Sequence, residues 1–409
     1  MRWRLRALSA LGALPAGLRA ASGAGGNAGD HAGGRALQDG LSGTGGTAPA
    51  PDRHRPSPGR GRGDTVRAWT ELFRVSALFS VPGDALAGAA AVGRSPGRGT
   101  ALAIGASLCL YEAGMALNDW ADREEDAVDR PHRPIPSGRI SPPAALGAAG
   151  LLTAAGLALA ARAGRPALAV ATGLAATVWA YDLHLKHTKA GPAAMAAART
   201  LDLLLGATAS VAAGARGGAA ARRSAPVVPG AADNVAAIAH PARGPLTALP
   251  AALVLGAHTY GVTAVSRHEA QGGSTAVPLA VLTTTAGLGA AVLTAGRAAR
   301  TRVPEPGAGG LGATGPGEHR ATRPHRLTAT DLLLTAFTGA YLRTAGPPLL
   351  HAALNPSPPL TQRAVGGGIR AMIPLQAALA TRAGAPGSGL AVMALVPLAR
   401  SLARKVSPT

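Results

Sequence analysis

The sequence predicts an all-α fold: a polytopic transmembrane helical bundle of about nine spans around a central cavity. The first observation behind this prediction is composition, because 47% of the residues are hydrophobic and only 15% are charged. The second is the distribution of charge. Long runs of Ala, Leu, Val and Gly carry almost none, and short connecting stretches hold most of the Arg. A soluble domain of 409 residues would need charge over its whole surface, so a membrane protein is favoured.

The charge balance is strongly basic, with 40 Lys and Arg against 20 Asp and Glu and a formal net charge of +20. Such a balance is compatible with nucleic acid, membrane lipids or a phosphorylated substrate. Aromatic residues make up only 3% of the chain and no nucleic-acid motif is present, so we expect no nucleic-acid partner. Heavy use of Ala, Gly, Arg and Pro is also typical of GC-rich coding. The single cysteine, Cys109, excludes a disulfide framework and a cysteine metal cluster.

Two regions differ in composition. Residues 1–66 are rich in Gly, Ala, Pro and Arg and lack sustained periodicity, which predicts a disordered basic tail. The first residues resemble a signal peptide only faintly, since Pro15 and Arg19 interrupt the apolar stretch. Residues 67–409 are predicted to form one transmembrane domain.

The spans follow from the length of the apolar runs, because crossing a bilayer core of about 30 Å takes about 20 apolar residues in a helix. Two shorter stretches, 366–381 and 386–402, follow the longer runs and make the expected count nine or ten. The longer candidate spans lie near 69–92, 99–118, 143–163, 165–182, 193–214, 246–265, 277–297 and 328–346.

The orientation follows from basic residues in short loops. A basic stretch precedes the first span, which places the amino terminus in the cytoplasm, and alternation then puts loops 119–142, 183–192 and 266–276 on the same side. Loops 215–245 and 298–327 also carry Arg and fall outside, but long loops follow the rule weakly. We therefore expect a multi-pass cell-membrane protein whose active-site loops face the cytoplasm.

An acidic cluster lies where the second span meets the cytoplasmic side: Asn118, Asp119, Asp122 and Asp126. Helical residues four positions apart share one face, so these side chains converge. Neighbouring carboxylates repel one another unless a cation lies between them, and hard oxygen ligands suit Mg²⁺. The alternative interpretation is a solvated acidic helix end. The position at the mouth of an apolar span brings the two interpretations to about equal weight.

A proline-stiffened basic loop, residues 129–141, follows directly. Arg133 and Arg139 supply forked donors that suit phosphate oxygens, and three prolines restrict the loop. A structural turn would explain the prolines but not the order of acidic and then basic residues. Carboxylates for a metal and guanidinium groups for an anion together predict a diphosphate site.

The run from Asn118 to Ser141 resembles the first aspartate-rich motif, N-D-x-x-D-x-x-x-D, and the R-P-I-P-S-G segment of UbiA-type membrane prenyltransferases, which are 4-hydroxybenzoate polyprenyltransferase-like. A weaker resemblance extends from about Trp69 to the carboxyl end. The resemblance implies about nine transmembrane helices and Mg²⁺-dependent transfer of a prenyl group. The donor is then a prenyl diphosphate, held with the metal by the acidic cluster, and the acceptor is aromatic or otherwise lipophilic.

The loop that begins at Tyr181 is similar to the family segment that carries a Tyr and a Lys after the fourth span. The resemblance implies that Lys186 contacts the diphosphate and that Tyr181 or Asp182 faces the acceptor. An ordinary basic cytoplasmic loop would look much the same, so both interpretations stay open.

The loop after the sixth span departs from the family, which carries a second aspartate-rich motif there. Glu269 lies where one acid belongs and is expected to contribute to metal and donor binding, whereas Ser266 and Gly273 replace expected acids. A second metal therefore has weak support. We expect Arg267 and His268 to take over part of the anion binding, or ionisation to be slower.

Charged residues inside apolar spans usually face the bundle interior and mark function. Arg199 and Asp202 are three residues apart and are predicted to pair, and Glu112 lies deep in the second span. Arg74, near the start of the first span, is expected to reach the lipid headgroups.

The leading hypothesis is a membrane prenyltransferase. The first alternative is a non-enzymatic binding or export-assisting protein that retains the fold. A phosphatidyl-alcohol transferase would need a dense D-G-type aspartate motif, which is absent, and a transporter is supported by composition alone. The sequence leaves open the prenyl chain length, the acceptor and the oligomeric state.

Overall fold

The computed structural model describes residues 62–73, 80–224, 244–269, 272–301 and 328–406. Within these ranges the chain forms twelve α-helices and no strand, which confirms the all-α prediction. Residues 1–61 of the predicted tail lie outside the described residues. The last residues of the tail, 62–66, form the start of a helix. Arg74 and most of the two long loops also lie outside the described residues.

The helices follow the apolar runs closely. The first six are α1 (Arg62–Leu72), α2 (Val81–Ala91), α3 (Arg98–Ala121), α4 (Arg123–Asp129), α5 (Pro142–Ala163) and α6 (Arg165–Ala180). The second six are α7 (Gly191–Ser224), α8 (Leu249–Ser266), α9 (Ala276–Thr301), α10 (Ala329–Leu354), α11 (Pro358–Arg382) and α12 (Pro386–Val406). A π-helical turn, Tyr181–Leu185, follows α6, and a 3-10 turn, Pro245–Ala248, precedes α8.

Five described helical segments are long and apolar enough to cross a membrane: Arg98–Ala121, Pro142–Ala163, Arg165–Leu185, Pro245–Ser266 and Ala276–Thr294. The described residues of the remaining predicted spans also lie in helices, but these helices are shorter or less apolar than the five. The first predicted span, 69–92, is described only in part. Helix α1 ends at Leu72 and α2 begins at Val81, and residues 74–79 lie outside the described residues.

The apolar helices divide into central and peripheral ones. In α3 and in the segment that ends with α8, 56% of the most apolar window is buried, whereas α5 buries 22% and α9 buries 28%. Large apolar side chains on the peripheral helices are exposed, for example Leu151 at 73% and Leu279 at 51%. Such an apolar exterior suits contact with lipid rather than water.

Close contact between α2 and α7 organises the centre of the bundle. A Cβ atom at Gly206 would lie 2.4 Å from the Cα atom of Ala85, and one at Gly88 would lie 2.2 Å from the carbonyl oxygen of Leu203. Only glycine permits this approach, as is typical of helix interfaces in membranes. The contact brings Asp84 of α2 against the polar residues of α7.

Candidate functional site

The acidic cluster occupies the junction of α3 and α4. Asn118 and Asp119 lie in the last turns of α3, each 4% exposed, and Asp126 in α4 is fully buried. The break at Asp122 is slight, because the backbone N–H of Asp122 donates to the carbonyl of Asn118 at 3.0 Å and that of Asp126 to the carbonyl of Asp122 at 2.8 Å. Helical register therefore continues through the junction, and residues 118, 122 and 126 share one face.

Two arginines of the following loop neutralise these carboxylates. The Nη1 atom of Arg133 lies 2.6 Å from Oδ2 of Asp126 and 3.2 Å from Oδ1 of Asp119. The Nη2 atom of Arg130 lies 3.0 Å from Oδ1 of Asp126. Both oxygens of the Asp126 carboxylate thus contact guanidinium groups.

Burial dominates the electrostatics at Asp126. It raises the pKa of the carboxyl above the ordinary value, and the nearby Asp119 adds to this rise, while Arg133 and Arg130 oppose it. The two arginines thus favour the ionised carboxylate. A cation bound among the carboxylates would act in the same direction as the arginines.

The loop that carries the arginines is anchored in the protein. Ile135 and Ile140 are 5% and 3% exposed and pack in one apolar cluster with Leu117 of α3 and Leu72 of α1. A tight turn closes at Gly138, which has a φ of 69° and donates its N–H to the carbonyl of Ile135 at 2.9 Å. Because the loop is held at its apolar residues, Arg133 is fixed over the acidic cluster.

A lysine from the other side of the bundle completes the charge pattern. The π-helical turn Tyr181–Leu185 adds one residue to the helical turn, and the N–H of Lys186 donates to the carbonyl of Tyr181 at 2.9 Å. Such turns are frequent at functional sites. Tyr181, Asp182 and Lys186 are all at most 4% exposed, and the Nζ atom of Lys186 lies 2.5 Å from Oδ1 of Asp122.

Three side chains beside this contact could hold a cation. One ligand atom from each of Asp122, Glu125 and His187 lies within 4.8 Å of the other two. Two carboxylates and an imidazole can hold a divalent cation, and the carboxylate oxygens suit Mg²⁺. Of the predicted metal ligands Asp122 belongs to this group, and the assignment of Asn118, Asp119 and Asp126 as ligands stays a prediction.

The loop after α8 contacts the same region. The Nη1 atom of Arg267 donates to the carbonyl of Thr188, two residues after Lys186. Ser266 is buried and its hydroxyl donates to the carbonyl of Thr263 at 2.8 Å, so this side chain is tied to its own helix. Glu269 is 1% exposed.

Gly273 and His268 of this loop both interact with backbone carbonyl groups. Gly273 has a φ of 93° and donates its N–H to the carbonyl of Pro356 at 3.0 Å, which links the loop to the start of α11. One ring nitrogen of His268, Nδ1, lies 3.3 Å from the carbonyl of Ala264. Residues 270 and 271 lie outside the described part of the chain.

A cavity of about 110 Å³ opens among α3, α6, α7 and α8, next to the acidic cluster. Its walls are largely apolar and include Leu110, Met115 and Val178, while Tyr181 and Asp182 border it on the side of the acidic cluster. The site therefore combines paired acidic and basic groups with an adjoining apolar cavity.

Comparison with known proteins decides the family. The UbiA prenyltransferase family matches residues 77–299, which is more than half of the 409 residues. The chain belongs to this family. The resemblance inferred from the aspartate-rich motif is thus confirmed.

Individual relatives match shorter stretches. Digeranylgeranylglyceryl phosphate synthase of Methanopyrus kandleri is 38% identical over 128 residues, which are 30% of this chain and 45% of that relative. The enzyme of the same name from Methanothrix thermoacetophila is 62% identical over 45 residues, or 11% of this chain and 17% of that relative. The chain thus spans less than half the length of the curated relatives it matches.

A solved structure supports the fold. A structure described as digeranylgeranylglyceryl phosphate synthase in membranes aligns with a TM-score of 0.50 at 14% identity, covering 79% of this chain and 99% of that chain. At this identity the likeness concerns architecture alone. It agrees with a UbiA-type multi-pass membrane bundle.

The structure brings together most of the predicted site residues of this UbiA chain. The acidic cluster, Arg133 and Lys186 form one network, and Tyr181, Asp182 and Arg267 lie beside it. The sequence reasoning did not assign Arg130, Glu125 or His187 to the site. Arg130 stands four residues after Asp126, and this helical spacing was a usable signal.

Arg139 lies apart from this network. Its Nη1 and Nη2 atoms lie 2.6 and 3.0 Å from the carboxylate oxygens of Glu71 in α1, and Nη2 also donates to the carbonyl of His132 at 2.6 Å. The loop thus turns Arg139 toward α1, and its predicted contact with the diphosphate stays a prediction. Its pair with Glu71 raises the pKa of the guanidinium.

We expect Arg139→Ala to change donor affinity little and to lower stability by about 1 kcal/mol or less, since its partner is partly exposed to solvent. Arg133→Ala removes a contact to two buried carboxylates and should weaken donor binding strongly. Calorimetric titration of both variants with a prenyl diphosphate checks the difference. Equal losses of affinity would show that Arg139 also binds the donor.

Proposed function

We propose that this chain transfers a prenyl group from a prenyl diphosphate to a lipophilic acceptor within the membrane, with Mg²⁺. The observation that carries this proposal is the network of carboxylates and basic side chains at the border of an apolar cavity. Membership of the UbiA prenyltransferase family supports the reaction class.

Four side chains would hold the metal: Asn118, Asp119, Asp122 and Asp126. Residues 118, 122 and 126 share one helical face and Asp119 adjoins it, and the carboxylates of Asp119 and Asp126 are buried. A bound Mg²⁺ neutralises the diphosphate and makes it a better leaving group. Glu269 is a candidate for a further ligand. Ser266 and Gly273 supply no carboxylate, so a second metal has little side-chain support.

Three basic side chains lie beside these carboxylates. Arg130 and Arg133 contact Asp126, and Lys186 contacts Asp122. With a cation bound among the carboxylates, the same guanidinium and ammonium groups would be available to diphosphate oxygens. Positioned donors of this kind stabilise the charge that develops as the carbon–oxygen bond breaks.

The cavity would hold the prenyl tail. Its apolar walls, which include Leu110, Met115 and Val178, would keep water away from the allylic carbon. Tyr181 and Asp182 lie between the acidic cluster and the cavity, where an acceptor would have to approach. The names of the relatives make a prenylated glyceryl phosphate the first acceptor to try.

We also propose that this site faces the cytoplasm. The loops that form it are short and basic, and they carry Arg123, Arg130, Arg133, Arg139 and Lys186. Short basic loops stay preferentially on the cytoplasmic side of a membrane. Accessibility of cysteines introduced into the loop from 130 to 141 would test the orientation.

The test of function is magnesium-dependent binding of geranyl diphosphate to the purified full chain in nanodiscs. We expect saturable binding that chelation of Mg²⁺ abolishes and that inorganic diphosphate competes. Mass spectrometry then measures product formation when the acceptor is added. Donor binding that does not depend on magnesium would contradict the metal assignment.

One observation supports a second candidate, a binding protein that holds a prenyl diphosphate without turning it over. The loop after α8 offers Glu269, while Ser266 is tied to its own helix and Gly273 has no side chain. Tight magnesium-dependent binding without loss of pyrophosphate would favour this candidate over the enzyme.

A further inference from the structure

The cavity beside the acidic cluster has two ends of different chemistry. Met115, Tyr181 and Asp182 lie at the end next to the cluster, and Ser107 and Asp202 lie at the other. Ser107 of α3 and Asp202 of α7 lie at the same level of the bundle, because the Ser107 hydroxyl donates directly to the Asp202 carboxylate. Eleven residues of α3 separate Asn118 from Ser107, a depth of about 16 Å at about 1.5 Å per residue.

The far end is a polar floor, here defined as Ser107, Asp202, Arg199, Asp84 and Gln376. The guanidinium of Arg199 donates to Oδ2 of Asp84, and the Gln376 amide donates to Oδ1 of Asp84 at 2.7 Å. Asp84 and Gln376 are fully buried, and Asp202 is 8% exposed. The floor is therefore tied to four helices, α2, α3, α7 and α11.

Displacing this floor would be costly. Separating a buried ion pair leaves a charge without compensation in a medium of low polarity. An apolar prenyl tail offers the Arg199 and Asp84 groups no replacement hydrogen bond. The floor therefore resists a tail that presses against it.

The space beyond the floor is filled by side chains in the described part of the bundle. Ala103 and Ala106 of α3 and Leu205 and Ala209 of α7 are all fully buried in one apolar cluster. Gly206 sits so close to α2 that a Cβ atom would collide with the backbone there. A tail has no room to continue straight along the bundle past Ser107.

We infer that the polar floor limits the donor to prenyl diphosphates of two or three isoprene units. This inference rests on the proposed function. Each isoprene unit adds about 5 Å of extended chain, so about 16 Å accommodates about three units. A geranyl or farnesyl chain ends above the floor, whereas a geranylgeranyl chain, the group in the names of the relatives, meets it.

The test measures magnesium-dependent binding of dimethylallyl, geranyl, farnesyl and geranylgeranyl diphosphates to the full chain in nanodiscs. Affinity should rise with length as far as farnesyl, because each unit buries apolar surface, and fall about tenfold at geranylgeranyl. Geranylgeranyl affinity equal to or above that of farnesyl would overturn the inference and leave the proposed function standing. Absence of binding at every length would instead overturn the proposed function.

A matched pair of variants isolates the floor. Ser107→Leu raises it and should shift the preferred donor from farnesyl to geranyl, while Ala101→Leu adds similar bulk on an exposed position of the same helix and should change nothing. If Ser107→Leu fails to fold, Ala198→Leu narrows the same cavity from α7 and predicts the same shift. Unchanged length preference in a folded cavity variant would overturn the inference.

Discussion

Asp122→Asn is expected to weaken magnesium-dependent donor binding by at least about 100-fold, since even residues that only support metal ligands contribute about 10- to 100-fold to metal affinity. The carboxylate of Asp122 stands at the junction of α3 and α4, 2.5 Å from the Lys186 ammonium and close to ligand atoms of Glu125 and His187. Asparagine keeps the size of the side chain and removes its charge. Calorimetric titration with geranyl diphosphate and Mg²⁺ measures the effect.

The control for charge is Glu124→Gln. Glu124 lies in the same acidic run, but its side chain is 88% exposed, so the change should leave donor affinity close to that of the wild type. Comparable losses in the two variants would indicate a general electrostatic effect and would contradict a specific role for Asp122.

A second control separates binding from folding. Asp122→Asn leaves the buried Lys186 ammonium without the carboxylate that it contacts at 2.5 Å, which costs stability by itself. The double variant Asp122→Asn with Lys186→Met removes both charges and should recover stability without recovering donor binding. Recovery of both would mean that Asp122 acts only through the lysine.

Local sequence information predicted the helices and the acidic cluster well. The length of an apolar run is enough to predict a membrane-spanning helix, and the four-residue spacing from Asn118 to Asp126 is enough to predict a shared helical face. The backbone hydrogen bonds that continue through Asp122 depend on residues only four apart. Contacts of such short range are visible in a sequence pattern.

Contacts between distant segments were not predictable in the same way. Arg139 finds Glu71, 68 positions earlier, and Arg199 donates to Asp84, 115 positions earlier. The sequence placed Arg199 and Asp202 together because they are three residues apart, and the two charges do lie close enough to interact. Their hydrogen bonds, however, go elsewhere: Arg199 donates to Asp84, and the Asp202 carboxylate accepts from Ser107. The packing of α2 and α3 on α7 creates the partners of Arg199 and Asp202, and the packing of the loop on α1 creates the partner of Arg139.

The π-helical turn at Tyr181–Leu185 is a further feature that could not be predicted from the sequence. Its sequence carries no signal that separates it from an ordinary helix end, yet the added residue places Lys186 against Asp122. A regular α-helix would have rotated Lys186 by about 100° around the helix axis, following the 3.6 residues of each turn. The predicted role of Lys186 therefore depends on a backbone irregularity.

The largest expected loss of stability belongs to Arg199→Met, at about 3 to 5 kcal/mol, the usual consequence of removing one partner of a buried ion pair. The Arg199 side chain is 16% exposed and its partner Asp84 is fully buried. Methionine fills a similar volume but leaves the Asp84 and Asp202 carboxylates in an apolar bundle with no nearby positive charge from α7. Denaturant unfolding in mixed micelles measures the change.

The double variant Arg199→Met with Asp84→Asn decides whether this loss comes from charge or from packing. It removes both members of the pair, while residue 84 keeps an oxygen that can accept from the Gln376 amide, now 2.7 Å from Asp84. If the uncompensated charge causes the loss, the double variant should be more stable than Arg199→Met alone. Arg343→Met, at an exposed position of α10, provides the matched control and should change stability little. A double variant as unstable as the single one would show that Arg199 acts through packing, and the polar floor would then owe its rigidity to the helices rather than to the ion pair.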